Sequence, residues 1–135
     1  MLDLTLLPER LAVCRLEPNE DVPRWAFRSP MSSVTRTARE LSIVCPEAAV
    51  PPGIRAERGF RVLEVSGPLD FALTGILASL LDPLAEAGVS VFAVSTHDTD
   101  YVLVRDESVP RALEALRRAG HRIAGMPGSV EAESL

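Results

Sequence analysis

Aromatic residues are scarce in this chain: one Trp, one Tyr and four Phe among 135 residues. Single-stranded RNA readers of βαββαβ order stack bases on aromatics of their central strands. The candidate strand RVLEVSG has no aromatic, and DYVLVR has only Tyr101. The formal net charge is −5, so no electrostatic footprint for phosphate backbones is present and a nucleic-acid partner is not expected. Only two cysteines occur, Cys14 and Cys45, with no C-x-x-C between them. Both lie in apolar runs and read as buried free thiols of a reducing compartment. No stretch approaches the ~18 apolar residues of a membrane span. Met1–Leu7 carries Asp3 and lacks a basic segment and a long apolar core, so it does not read as a signal peptide. A cytoplasmic protein without membrane contact is the expectation. G-x-S-x-G, P-loop and H-E-x-x-H motifs are missing. Ser95, Thr96, His97, Asp98 and Asp100 cluster, yet neighbours on a strand point to alternate sides and do not converge as a triad. His97, Asp98 and Asp100 are too few for a metal, and His121 is distant in sequence. No catalysis, metal or cofactor is expected.

What the chain does have is apolar content, 47% of its residues, enough for a globular core. The second half is the more regular. Arg61–Gly67 reads as a strand, ended by Gly67-Pro68. Leu73, Ile76, Leu77, Leu80, Leu81 and Leu84 then recur at helical spacings, predicting a helix over residues 71–87. Asp70 is the expected N-cap and Gly88 the C-terminal stop. Pro83 lies inside this stripe, so the helix is expected to kink and not to break. Val89–Thr96 and Asp100–Arg105 form a hairpin around a polar turn. Val109, Ala112, Leu113 and Leu116 mark a second helix, and His121–Ala124 a last short strand. Strand, helix, strand, strand, helix, strand is the split βαβ, ferredoxin-like order. The strands are apolar on both faces, so something must cover the face away from the helices.

The first half reads as a shortened copy. Leu11–Leu16 stands for a first strand and Ser33–Cys45 for the hairpin. Val34-Thr35 falls on Val94-Ser95 at an offset of 60, and Leu41, Ile43 and Val44 fall on Tyr101, Leu103 and Val104. Val50-Pro51 echoes Val109-Pro110 at an offset of 59. Pro18, Pro23 and Pro30 leave room for only a short helix between Leu16 and Ser32. Pro51-Pro52-Gly53 is the natural linker. The fold class is therefore α+β, with ferredoxin-like units whose antiparallel sheets carry helices on one face. Residues 1–53 form the shortened unit, 54–126 the complete one, and 127–135 a flexible tail.

Val65–Val104, VSGPLDFALTGILASLLDPLAEAGVSVFAVSTHDTDYVLV, resembles an ACT domain of the kind found in aspartate kinase regulatory regions. Its most specific part is LAEAGVSVFAVST, Leu84–Thr96. The same segment, with SVTRTARELSIVCPE in the first half, is similar to the paired-ACT family that includes the CASTOR cytosolic arginine sensors. The resemblance implies a non-catalytic regulatory module that binds an amino acid, arginine or another, where ACT units pair. It implies a homodimer or pairing of the two halves, and a separate enzyme or transporter as the regulated partner. Carried over by position, the ligand-binding residues are Gly67, Pro68, Leu69, Asp70, Thr74, Gly75, Ile76, Ser95, Thr96, His97, Asp98 and Asp100. Asp100 matches the acid that contacts arginine in that family. The chain departs from the arginine sensors at His97, Thr99 and Leu73, which leaves the effector's side chain open.

Plainer readings stand beside these. Asp70 is a simple helix cap, residues 97–100 a solvated turn, Gly75 a close-packing residue against the sheet, and Trp25 a core anchor. A ligand-free ACT pair serving as a dimerisation module is the alternative function.

Overall fold

The computed structural model describes residues 1–70 and 74–125. The expected first helical turn at 71–73, with Leu73, and the expected tail lie outside them. The described residues form eight strands and two α-helices: β1 Asp3–Leu6, β2 Leu11–Leu16, β3 Ser33–Arg36, β4 Leu41–Pro46, β5 Ala56–Val65, α1 Ile76–Glu86, β6 Val91–Ser95, β7 Asp100–Arg105, α2 Val109–Arg118 and β8 Arg122–Ala124. Two compact units result, residues 9–60 and residues 1–8 with 61 onward. The sequence places the division at 53/54 instead. The difference arises because Ala56–Phe60 pairs with β2, while β1 pairs with β5 and β8.

In the N-terminal unit the strand order is β3-β4-β2-β5, all antiparallel. Leu11–Leu16 opposes Leu41–Pro46 without a break in register. Period-two alternation puts Ala12, Cys14, Leu16, Leu41, Ile43 and Cys45 on one face, where they form a buried core with Ala26 and Val50. Trp25 is half-buried against it, as a core anchor should be. In place of a first helix stands one 3-10 turn, Arg24–Ala26, as the three prolines dictate. The internal repeat holds at an offset of 59 and not of 60: Arg36↔Leu41 closes the β3–β4 ladder as Ser95↔Asp100 closes β6–β7, so Leu41 falls on Asp100 and not on Tyr101. A 3-10 turn at Glu47–Ala49 follows β4, and one at Asp106–Ser108 follows β7 at the same offset of 59. After it, Val50-Pro51 enters the linker, whereas Val109-Pro110 starts α2. Proline is at home in the first helical turn.

The C-terminal unit has the expected βαββαβ order, β5-α1-β6-β7-α2-β8. β1, which no periodicity in the sequence marks, is inserted between β5 and β8, antiparallel to the first and parallel to the second. Four short residues gave too little periodicity to mark a strand. The core gathers Leu4 and Leu6, Leu63 and Val65, Val102 and Val104, with Leu80 and Leu84 of α1 and Leu113 and Leu116 of α2. On the opposite face of the sheet, Val62 and Leu103 are also fully buried, while Phe92, Val94 and Tyr101 are half-buried.

α1 begins at Ile76, with Gly75 at its N-cap, so Asp70 is not the cap. Gly75 has φ +77° and nothing near its missing Cβ. It is glycine because the backbone is left-handed there, not because it packs closely. The helix runs through Pro83. Proline leaves the Ser79 carbonyl without its i+4 donor. The ring of His121 supplies one, Nε2 donating to Ser79 O at 3.0 Å while Nδ1 accepts from the Leu2 N–H at 3.1 Å. Both helices end alike. Gly88 and Gly120 take positive φ, and Val89 N and His121 N donate back to Leu84 O and Leu116 O.

Candidate functional site

Two connections meet at one end of the C-terminal unit's sheet: the loop from β5 to α1, and the hairpin turn from β6 to β7. Ser95↔Asp100 is the last pair of the β6–β7 ladder. Beyond it the chain reverses through Thr96–Thr99, closed by Thr96 N–H donating to Thr99 O at 2.8 Å. The Thr96 hydroxyl reinforces the closure, donating to Thr99 O and accepting from Thr99 N–H. His97 and Asp98 are left 88% and 73% exposed, with Nδ1 3.0 Å from Oδ1. A contact so exposed contributes little stability. Its value is to present a carboxylate and an imidazole beside the loop.

The β5–α1 loop is tied to this turn. Leu69 N–H donates to Asp98 O at 2.7 Å, and the Thr99 hydroxyl donates to Val65 O at 2.7 Å. A Cβ on Gly67 would lie 3.1 Å from Asp98 O and 3.2 Å from Thr99 Cβ, so glycine lets the two segments touch.

Between them is an open cleft of about 170 Å³ lined by Leu69, Asp70, Ile76 and Ser95–Asp100. That is smaller than the roughly 300–1,000 Å³ that suits drug-sized ligands and fits a small metabolite. Of the twelve residues the sequence carried over, Leu69, Asp70, Ile76, Ser95, Thr96, His97, Asp98 and Asp100 line it. Gly67, Pro68, Thr74 and Gly75 do not. Gly67 supports the cleft from behind, and Gly75 sets the start of α1. Thr99 lines the cleft and was missed, although it brackets the turn with Thr96 and is 8% exposed. A short threonine in a polar turn looks solvated until its carbonyl partner on β5 is known.

Among the described residues, Asp70, Asp98 and Asp100 line this cleft and no arginine does. Ile76, Leu77 and Ala78 offer first-turn N–H groups that the helix itself does not use. The site can therefore hold a cation by its acids and a carboxylate by the helix start. Nearby, Tyr101 OH donates to Glu64 Oε2 at 3.0 Å. Burial, then Glu64's hydrogen bond and negative charge, then Asp98's charge raise the phenol above its ordinary value. Among the described residues no group of His, Cys, Asp and Glu is arranged to hold a metal ion. No described helix is long and apolar enough to cross a membrane.

Comparison with known proteins gives the family and the fold. Residues 55–118 match the ACT domain family, and residues 9–53 match a family described as an N-terminal domain. The cytosolic arginine sensor for mTORC1 subunit 1 of Bos taurus is 33% identical over 102 residues, covering 67% of this chain and 31% of that protein. The chain thus spans less than a third of that relative's length. A crystal structure of a protein from Agobacterium tumefaciens has a TM-score of 0.86 at 36% identity, covering 90% of this chain and 91% of that one. The regulatory subunit of aspartate kinase from Thermus flavus has a TM-score of 0.59 at 15% identity, covering 86% and 95%. At that identity the likeness shows the fold alone.

Proposed function

We propose that this chain, whose residues 55–118 match the ACT domain family, is a non-catalytic regulatory module whose C-terminal unit binds an amino acid. The observation that carries this reading is the convergence of Leu69, Asp70, Ile76 and the Ser95–Asp100 turn on one small cleft. An amino acid presents a carboxylate, an ammonium and a side chain. The carboxylate goes to the first-turn N–H groups of α1, where backbone dipoles favour an anion. The ammonium goes to Asp98 or Asp100. With three acids at the cleft, a cationic side chain such as that of arginine is favoured over an acidic one. The name of the Bos taurus relative supports the same ligand class.

The module acts on a separate enzyme or transporter in this reading, in a reducing cytoplasm that keeps Cys14 and Cys45 as free thiols. A second reading, a ligand-free dimerisation module, is favoured by β6. This strand pairs only with β7 in the described sheet, carries no charged side chain, and exposes Val91. An unblunted edge of that kind is a template for pairing with a second copy.

A thermal-shift screen against the twenty amino acids at millimolar concentration separates the two. A ligand at about 100 times its dissociation constant adds about 2.7 kcal/mol of stability, several degrees for a chain of this size. A hit abolished by Asp100→Ala supports the sensor. No shift with any amino acid defeats it and leaves the dimerisation module.

A further inference from the structure

We propose that Thr99 is a positioning residue of this site: its buried hydroxyl holds the two walls of the effector cleft at binding distance. The inference rests on the reading of the cleft as an effector site and deepens it. One wall, the β5–α1 loop, carries Asp70; the other, the β6–β7 turn, carries Asp98 and Asp100. Two direct hydrogen bonds join them, Leu69 N–H to Asp98 O at 2.7 Å and the Thr99 hydroxyl to Val65 O at 2.7 Å.

Thr99 occupies the junction by three separate contacts. Its backbone closes the hairpin through Thr96, its hydroxyl reaches back to the end of β5, and its Cβ abuts Gly67, where an added methyl would sit 3.2 Å away. It is 8% exposed, whereas its neighbours His97 and Asp98 are largely exposed. A hydroxyl that is buried and bonded to a carbonyl of another strand specifies a position, because a methyl of the same shape leaves that carbonyl short of a donor. Without this bond the turn is free to move away from the loop, and Asp98 and Asp100 move with it.

The test is amide exchange by NMR on the full chain, with and without millimolar L-arginine. Thr99→Val is the test variant, Thr99→Ser restores the hydroxyl, and His121→Ala is a destabilised control outside the cleft. In Thr99→Val the Leu69 amide is expected to exchange about tenfold faster and arginine to bind about tenfold more weakly, the scale of one hydrogen bond. Thr99→Ser is expected to behave as the natural protein, and His121→Ala to lose stability with its arginine affinity intact. Gly67→Ala, which pushes the same junction apart, is expected to reproduce the Thr99→Val pattern. Exchange at Leu69 unchanged in Thr99→Val overturns the proposal, as does faster exchange with unaltered arginine affinity. If the natural protein ignores arginine while Leu69 exchange rises in Thr99→Val, the arginine reading fails and the clamp itself is upheld.

Discussion

Tyr101 is the chain's single tyrosine, so its chemistry can be read without interference. Burial and the neighbouring Glu64 hold its phenol above the ordinary value of 10.0. The neutral phenol is the form the fold stabilises, so its contribution is complete at neutral pH and is lost as pH rises through the raised value. Absorbance titration at 295 nm should give one midpoint above 10, and Glu64→Gln should bring it down. A midpoint unmoved by Glu64→Gln would remove Glu64 as a cause. Cys45 behaves in the same sense. Burial first, then the adjacent Cys14, push its thiol up to about 12. Such a thiol is a small hydrophobe at neutral pH and a poor nucleophile.

At the scale of elements, Pro83 and His121 solve one problem together. Proline in α1 leaves Ser79 O without a helical donor, and an imidazole from beyond α2 fills the gap. The other ring nitrogen accepts from Leu2 N–H at the entry to β1. One side chain thus connects α1, the α2–β8 junction and β1. His121→Ala orphans both groups and should cost about 2 kcal/mol, allowing for their partial access to water. Urea denaturation measures this, and a change within experimental error would show that water replaces the ring. The sequence placed His121 on a short strand and gave no hint of this role. The proline and the histidine lie 38 positions apart by number, and only the tertiary structure joins them.

β5 is shared by the two compact units: Ala56–Phe60 belongs to one and Arg61–Val65 to the other. The C-terminal unit also takes β1 from the far end of the chain, between β5 and β8. Leu4 and Leu6 bring two fully buried side chains into its core. A fragment of residues 54–126 therefore contains the whole ACT match yet lacks a central strand. Removing about two buried leucines forfeits several kcal/mol, a large part of a small domain's net stability. The fragment is expected to give a collapsed, poorly dispersed NMR spectrum, and the full chain a dispersed one. A well-dispersed spectrum from the fragment would mean that β5 and β8 close without β1.

Much of the architecture was determined by the sequence alone. Period-two and period-3.6 patterns marked β2, the two hairpins and both helices, because each buries one face and local geometry sets which residues share it. Gly88 after α1 was legible for the same reason, since a left-handed residue is needed at that one position. Similar residues in the two halves exposed the repeat, but the hairpin offset of 60 was one residue too long, a slip that ladder register decides and residue type does not; the ACT resemblance located the loop and turn that form the cleft. Tertiary structure decided the rest. β1 is too short to show a period and exists only because β5 and β8 supply its hydrogen bonds on both sides. The start of α1 at Ile76, and not after Asp70, depends on a left-handed glycine whose φ no periodicity reveals. Thr99 enters the site through a carbonyl 34 positions away, a distance that pattern reading along the chain does not span.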